Sequence, residues 1–280
     1  MTEADWMRGI PRESSSQIDL RTDLAHPARV YDFLLGGKDN FAADRAVAEA
    51  SIKANPEVRA SAVENRGFIA RAVRHLAGEP GIRQFLDIGA GLPTSPNVHE
   101  VAQAIAPESR VVYVDHDPIV ATHGRALLTS KPEGKTAYVE ADFRDLEAIL
   151  SSQAVRETLD LSQPVGLVLA AVLHFVPDSD EPYPLVRRLV DWLPHGSYLV
   201  LSHLTPDFDP ETWATIPARL AEDGVIMRVR SRAEVQPFFD GLELIEPGVQ
   251  VVSRWRNDAD PASLPDDAAV SVYGGVARKQ

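Results

Sequence analysis

Gln84-Phe85-Leu86-Asp87-Ile88-Gly89-Ala90-Gly91 reads as a short buried strand that ends in an acid and then turns on two glycines. Glycine permits the tight turn and lets backbone N–H groups approach a ligand where a Cβ would clash. From Arg83 onward, short apolar runs alternate with helical stretches, the rhythm of βαβ units around a mostly parallel sheet. Strands are expected near 83–88, 110–115, 136–140, 165–171 and 197–203. Asn97 with Glu100 and Ser231 with Glu234 have the form of capping boxes, while Asp117-Pro118 and Asp209-Pro210 open two further helices. The last apolar runs, about Leu242 to Val252 and Ser271 to Ala277, have no helical stretch between them. Parallel neighbours would need a crossover helix, so an antiparallel C-terminal hairpin is expected.

Before this core the chain reads as helices. Residues 1–22, with Ser14-Ser15-Ser16, are expected to be a mobile leader, and residues 23–82 a helical cap. Its first helix runs from about Ala28 to Leu35 and stops at Gly36 and Gly37; its second follows Asn40. Its third opens with Asn55 as N-cap and Pro56 as first helical residue, and ends near Gly78. Residues 83–280 then form the ligand-binding core.

A chain of 280 residues, 44% hydrophobic and 25% charged, fits one folded domain with an appendage. Its net charge of −13 argues against nucleic acid as a partner, because such binding draws on cationic neutralisation of phosphates. The absence of cysteine removes disulfides, thiolate metal sites and a cysteine nucleophile, and fits the cytoplasm. The first twenty residues lack the apolar run of a secretion signal. Val165 to Val176, broken by His174, is too short to cross a bilayer. The histidines show no metal-ligand spacing, so neither a membrane nor a metal is expected.

The strand Val111-Val112-Tyr113-Val114-Asp115 also ends in an acid, 24 residues beyond Gly91, where a carboxylate can accept from both hydroxyls of a ribose. The third strand leads through Glu140 to Asp142-Phe143, an acceptor for an exocyclic amine beside a ring that can stack on a base. Three acids at three consecutive strand ends fall on the carboxyl edge, where open α/β sheets bind ligands. A ligand with an amine, a ribose and an adenine satisfies all three. A nicotinamide dinucleotide is the rival, disfavoured because Thr94 stands at the usual third glycine and Asp87 would lie near a pyrophosphate.

Phe85 to Gly91, Val111 to Pro118, Glu140 to Phe143 and Val165 to Val176 resemble the first four motifs of class I S-adenosylmethionine-dependent methyltransferases. The run Ala28-Arg29-Val30-Tyr31-Asp32-Phe33-Leu34-Leu35-Gly36-Gly37-Lys38-Asp39-Asn40-Phe41-Ala42-Ala43-Asp44-Arg45 resembles the N-terminal signature of an actinobacterial methyltransferase family first catalogued as a domain of unknown function. Similarity continues through Gly81 to Thr94 and into Tyr273-Gly274-Gly275. The resemblance implies a Rossmann-like seven-stranded sheet with its last strand antiparallel, and S-adenosyl-L-methionine as cofactor. It also suggests that Tyr31, Lys38 and Asn40 belong to a lid over the cofactor, which Asp87, Gly89, Ala90, Gly91, Asp115, Asp142 and Phe143 would bind from the sheet. One departure is the segment Leu92-Pro93-Thr94-Ser95-Pro96, which lengthens the loop before the helix at Asn97.

His174, just past the fourth strand, is the candidate catalytic base; its segment is similar to that of small-molecule O-methyltransferases in which a histidine deprotonates a hydroxyl. A packing role is the alternative. His203 is the second choice, read otherwise as a hydrogen-bonded turn residue. Asn65 and Arg66 on the third helix could reach a methionine carboxylate, but an exposed helical arginine is the simpler reading and neither is assigned. The expected function is methyl transfer to a small-molecule hydroxyl or carboxyl, with a non-catalytic S-adenosylmethionine sensor or partner module as the alternative.

Overall fold

The structure, a computed structural model, describes residues 20–127 and 129–280, so the expected leader lies almost wholly outside the described residues. Helices α1 (Pro27–Leu34), α2 (Ala42–Ala54) and α3 (Val58–Gly78) come first, then β1 (Gln84–Ile88), α4 (Val98–Ile105), β2 (Arg110–Asp115), α5 (Pro118–Leu127) and β3 (Lys135–Glu140). Helices α6 (Leu146–Leu150) and α7 (Gln153–Thr158) lead to β4 (Gly166–Ala170), α8 (Pro182–Trp192), β5 (Tyr198–Leu204), α9 (Pro210–Glu222) and α10 (Arg232–Val235). The chain closes with β6 (Glu243–Leu244), β7 (Gln250–Val251), α11 (Asp267–Val270) and β8 (Val272–Arg278).

The sheet order is β3-β2-β1-β4-β5-β8-β6, with β7 also on β8. Strands β1 to β5 run parallel, and β8 is antiparallel to β5 on one side and to β6 and β7 on the other. Strands β6 and β7 lie end to end on one edge of β8, interrupted around Pro247, which has no N–H to give a ladder. Taken as one interrupted strand, they make the sheet seven-stranded with an antiparallel C-terminal end, as the class I resemblance implies. Among the described residues no helix is long and apolar enough to cross a membrane.

Both capping boxes are present, at Asn97/Glu100 and Ser231/Glu234. Asn55 does not open α3. Its N–H closes α2 on the Ser51 carbonyl and its Oδ1 accepts from Glu57 N at 3.1 Å, so Asn55-Pro56 is a turn and the helix begins at Val58. An Asx turn satisfies the same groups that an N-cap would.

Packing separates the three leading helices. Phe68, Ala72, Val73 and Leu76 of α3 are fully buried in the main core with Phe85, Leu86, Leu167 and Leu169 of the sheet. Helices α1 and α2 instead form small clusters, Leu34 with Ala48 and Ala62, and Val47 with Trp213, Ile216 and Leu220 of α9. They are bolted to the sheet by charge. Buried Arg29 pairs with Asp117 at 3.1 Å and with Asp44 at 3.6 Å, and Asp44 accepts from His26 N and Phe41 N. Breaking such a buried network costs about 3–5 kcal/mol, because the partner charge is stranded.

Candidate active site

Strand order reverses across β1 and β4, the switch point at which open α/β sheets leave a crevice beyond their carboxyl ends. A cavity opens there, lined by Asp87, Gly89, Ala90, Gly91 and Asp115 from the sheet side and by His26, Tyr31, Asn65 and Arg66 from the helices. Burial pushes the Asp87 carboxyl up to about 7; the Arg66 guanidinium opposes the shift and the Asp115 charge adds to it. A buried acid so poorly compensated suits a ligand that brings a cation.

The glycine turn works by closeness rather than by donation. Gly89 and Ala90 give their N–H groups to the Val114 carbonyl, and Gly91 gives its own to Asp115 Oδ2 at 2.9 Å. At Gly89, φ is +75° and an added Cβ would lie 2.5 Å from Val172, so only glycine fits between the ligand space and β4. Asp115 also accepts from Asp117 N at 3.1 Å, which makes it a shaper of the turn as well as a wall of the cavity.

Four residues singled out in the sequence stand elsewhere. Asp142 is paired with Arg144 at 2.6 Å, and Arg144 reaches on to Asp180 at 3.0 Å, while the Phe143 ring is buried in the main core. Neither is among the residues lining the cavity. Lys38 is exposed on the loop after α1. Asn40 donates to Asp32 Oδ2 at 2.8 Å and to the Gly37 carbonyl, holding that loop in shape. Tyr31, by contrast, lies on the cavity wall: its hydroxyl donates to the Ala62 carbonyl at 2.9 Å and accepts from Asn65 Nδ2 at 3.0 Å.

Asn65 continues this chain of bonds, accepting from Ser202 Oγ, which in turn accepts from Ala171 N at 3.0 Å. Ala171 holds a left-handed φ of 54°, a strained backbone position for a residue with a Cβ. The network ties α1 through α3 to the ends of β4 and β5. The sequence reading weighs Asn65 and Arg66 and sets them aside, yet a signal in their favour exists. Asn65 falls on the stripe Ala62, Phe68, Ile69, Ala72, where a buried amide needs partners. Arg66 is half-buried and donates to the carbonyls of Thr94 and Pro96, pinning the lengthened loop. His26, Asp115 and His116 also converge, with ligand atoms within 4.8 Å of one another, a group that could hold a metal ion and that spacing does not reveal because His26 comes from the cap.

A second cavity adjoins the first and shares Pro27, Tyr31, Asn65, Ala171 and Phe175 with it. Helices α1, α2, α3 and α9 enclose it, and His174 lies on its wall. His174 is buried, and desolvation with the neighbouring His203 and Arg230 holds its imidazole well below the usual range, so it stays neutral. Its Nδ1 has no hydrogen-bond partner among the described residues. His203 is fully used: Nδ1 donates to the Leu204 carbonyl at 2.7 Å and Nε2 accepts from Arg230 at 2.9 Å, with burial pushing it down to about 3. It is a structural link between β5 and Arg230.

A family model described as S-adenosyl methyltransferase matches residues 12–280. The chain belongs to this family. As a member it is an S-adenosylmethionine-dependent methyltransferase, with S-adenosyl-L-methionine as the expected cofactor. The chain is 49% identical to a DUF574 family protein from Streptomyces avermitilis, over 93% of this chain and 100% of that one, with a TM-score of 0.91. It is 41% identical to a candidate methyltransferase from Thermobifida fusca, over 95% and 99%, with a TM-score of 0.86. The plantazolicin methyltransferase BpumL shares the fold at 11% identity, over 90% and 96%, with a TM-score of 0.53. No curated protein matches the chain.

Proposed function

We propose that this methyltransferase acts on a small-molecule hydroxyl or carboxyl, with the cofactor in the acid-lined cavity and the acceptor in its neighbour. The observation that carries the reading is the junction itself: Tyr31, Asn65, Ala171 and Phe175 line both spaces, so ligands in the two would meet there. Asp87 suits the cofactor's amine, Asp115 its ribose, and Arg66 its carboxylate. The bound cofactor supplies a methyl group on a positively charged sulfur, which leaves with the carbon–sulfur electron pair as the new carbon–oxygen bond forms.

The chain's own contribution is placement, which alone is worth on the order of 7–11 kcal/mol in favourable cases. His174 is proposed as the base, accepting a hydroxyl proton at Nδ1; a positioned base adds about 10²- to 10⁴-fold. The α1–α2 cap excludes water from the junction, with Tyr31 as its contact and with Asn40 shaping the loop behind it. The cysteine-free chain is assigned to the cytoplasm. Incubation with S-adenosylmethionine and a cell extract tests the reading: S-adenosylhomocysteine should accumulate with extract and not without it, and equal amounts in both would defeat it.

A further inference from the structure

The second cavity carries more information about the acceptor than its size. Among the described residues lining it there is no Asp, Glu, Lys or Arg; its walls are aliphatic and aromatic, chiefly Val30, Leu34, Val47, Trp213, Ile216 and Met227. Away from the cofactor cavity, charge begins in a neighbouring groove, which shares Ser51, Ile216 and Leu220 with the cavity and adds Arg219, Glu222 and Asp223. Two of the lining residues carry a buried polar atom without a hydrogen-bond partner: Trp213 at Nε1, which can only donate, and His174 at Nδ1. Buried polar atoms are nearly always paired, so two such residues around one cavity point to a ligand that pairs them.

We propose that the cavity takes an uncharged, largely apolar methyl acceptor whose oxygen is held by Trp213 Nε1 and His174, and that it rejects carboxylates and amines. The proposal rests on the methyl-transfer reading and narrows it to a neutral hydroxyl. An ion entering this space loses its water and meets no opposite charge, a penalty that neutral phenols and alcohols escape. Methylation then forms the carbon–oxygen bond, passes the hydroxyl proton to His174 and releases the carbon–sulfur pair to sulfur.

Calorimetry on the full chain loaded with S-adenosylhomocysteine tests this with three probes of one shape: 2-naphthol, 2-naphthoate and 2-naphthylmethylammonium. Naphthol should bind about tenfold or more tighter than either ion. Trp213→Phe, which keeps the ring and removes the donor, should weaken naphthol about three- to tenfold. Met227→Lys, at a half-exposed wall position, should weaken it about tenfold or more while S-adenosylhomocysteine affinity stays the same, which also shows that the variant is folded. Ions binding as tightly as naphthol would overturn the neutral-acceptor assignment. Naphthol affinity untouched by both substitutions would reduce the cavity to a packing gap. Naphthol uptake in a wild-type chain with no affinity for S-adenosylhomocysteine would keep the apolar site and defeat the methyl-transfer reading instead.

Discussion

The two cavities that meet at Tyr31, Asn65, Ala171 and Phe175 are built on opposite principles. The first is walled by strand ends and by charge: Asp87, Asp115 and a glycine turn held by hydrogen bonds at the sheet edge, with Arg66 facing them from α3. The second is walled by helix faces and has no formal charge among its described lining residues. A cavity of the first kind selects by pairing charges, and one of the second kind by shape and by what it cannot solvate. The contrast separates the part of the enzyme that recognises a fixed cofactor from the part free to change with its acceptor.

The largest expected effect lies on the apolar side. His174→Gln should lower turnover by about 10²- to 10⁴-fold with cofactor affinity nearly intact. Because burial holds His174 well below its usual range, the wild-type rate at saturating S-adenosylmethionine should stay level through neutral pH and fall only in more acidic solution. A rate that drops with an inflection near pH 7 would assign the ionisation to another group.

On the charged side, Asp87→Asn should weaken S-adenosylhomocysteine by about 3–4 kcal/mol, two to three orders of magnitude, by stranding the ligand's amine. The wild-type affinity should itself depend on pH. Below about 7 the free protein holds a proton on Asp87 that an amine must displace, so affinity rises with pH up to that value and levels off above it. Asp87→Asn should flatten that profile, as titration calorimetry across pH would show. Asp115→Ala comes next, at about tenfold or more, since it removes the ribose acceptor along with the bond to Gly91 N.

The smallest effects belong to the cap. Amides of residues 30–41 should exchange more slowly with S-adenosylhomocysteine bound, because Tyr31 closes on the ligand. Lys38→Ala, at an exposed position, should change affinity less than about twofold, within the range of ordinary surface substitutions.

The same contrast explains what could be read from the chain. Asp87, Gly89, Gly91 and Asp115 were legible because a strand end and its turn are local: a few consecutive residues specify both the backbone path and the chemistry. The parallel run of strands followed from the βαβ rhythm, and the antiparallel end from the missing crossover helix. Asp142 stands apart from the residues lining the cavity and pairs with Arg144, two residues on, and such competition between neighbours is invisible to a pattern of strand-end acids. The apolar cavity could not be read at all. Val47, Trp213 and Ile216 have the spacing of any core-facing helix residue, and only the packing of α2 against α9 shows that they enclose space. Asn65 sits between these cases, a polar residue on an apolar stripe whose partners, Tyr31 and Ser202, are far away in the chain.

The meeting of the two cavities is tested most directly by nuclear magnetic resonance on the wild-type protein with S-adenosylmethionine carrying a ¹³C-labelled methyl group. Overhauser contacts from that methyl should reach ring protons of Tyr31 and Phe175, which line both spaces. Contacts to the ring of Phe143 in their place, or a bound methyl that touches neither Tyr31 nor Phe175, would contradict the account.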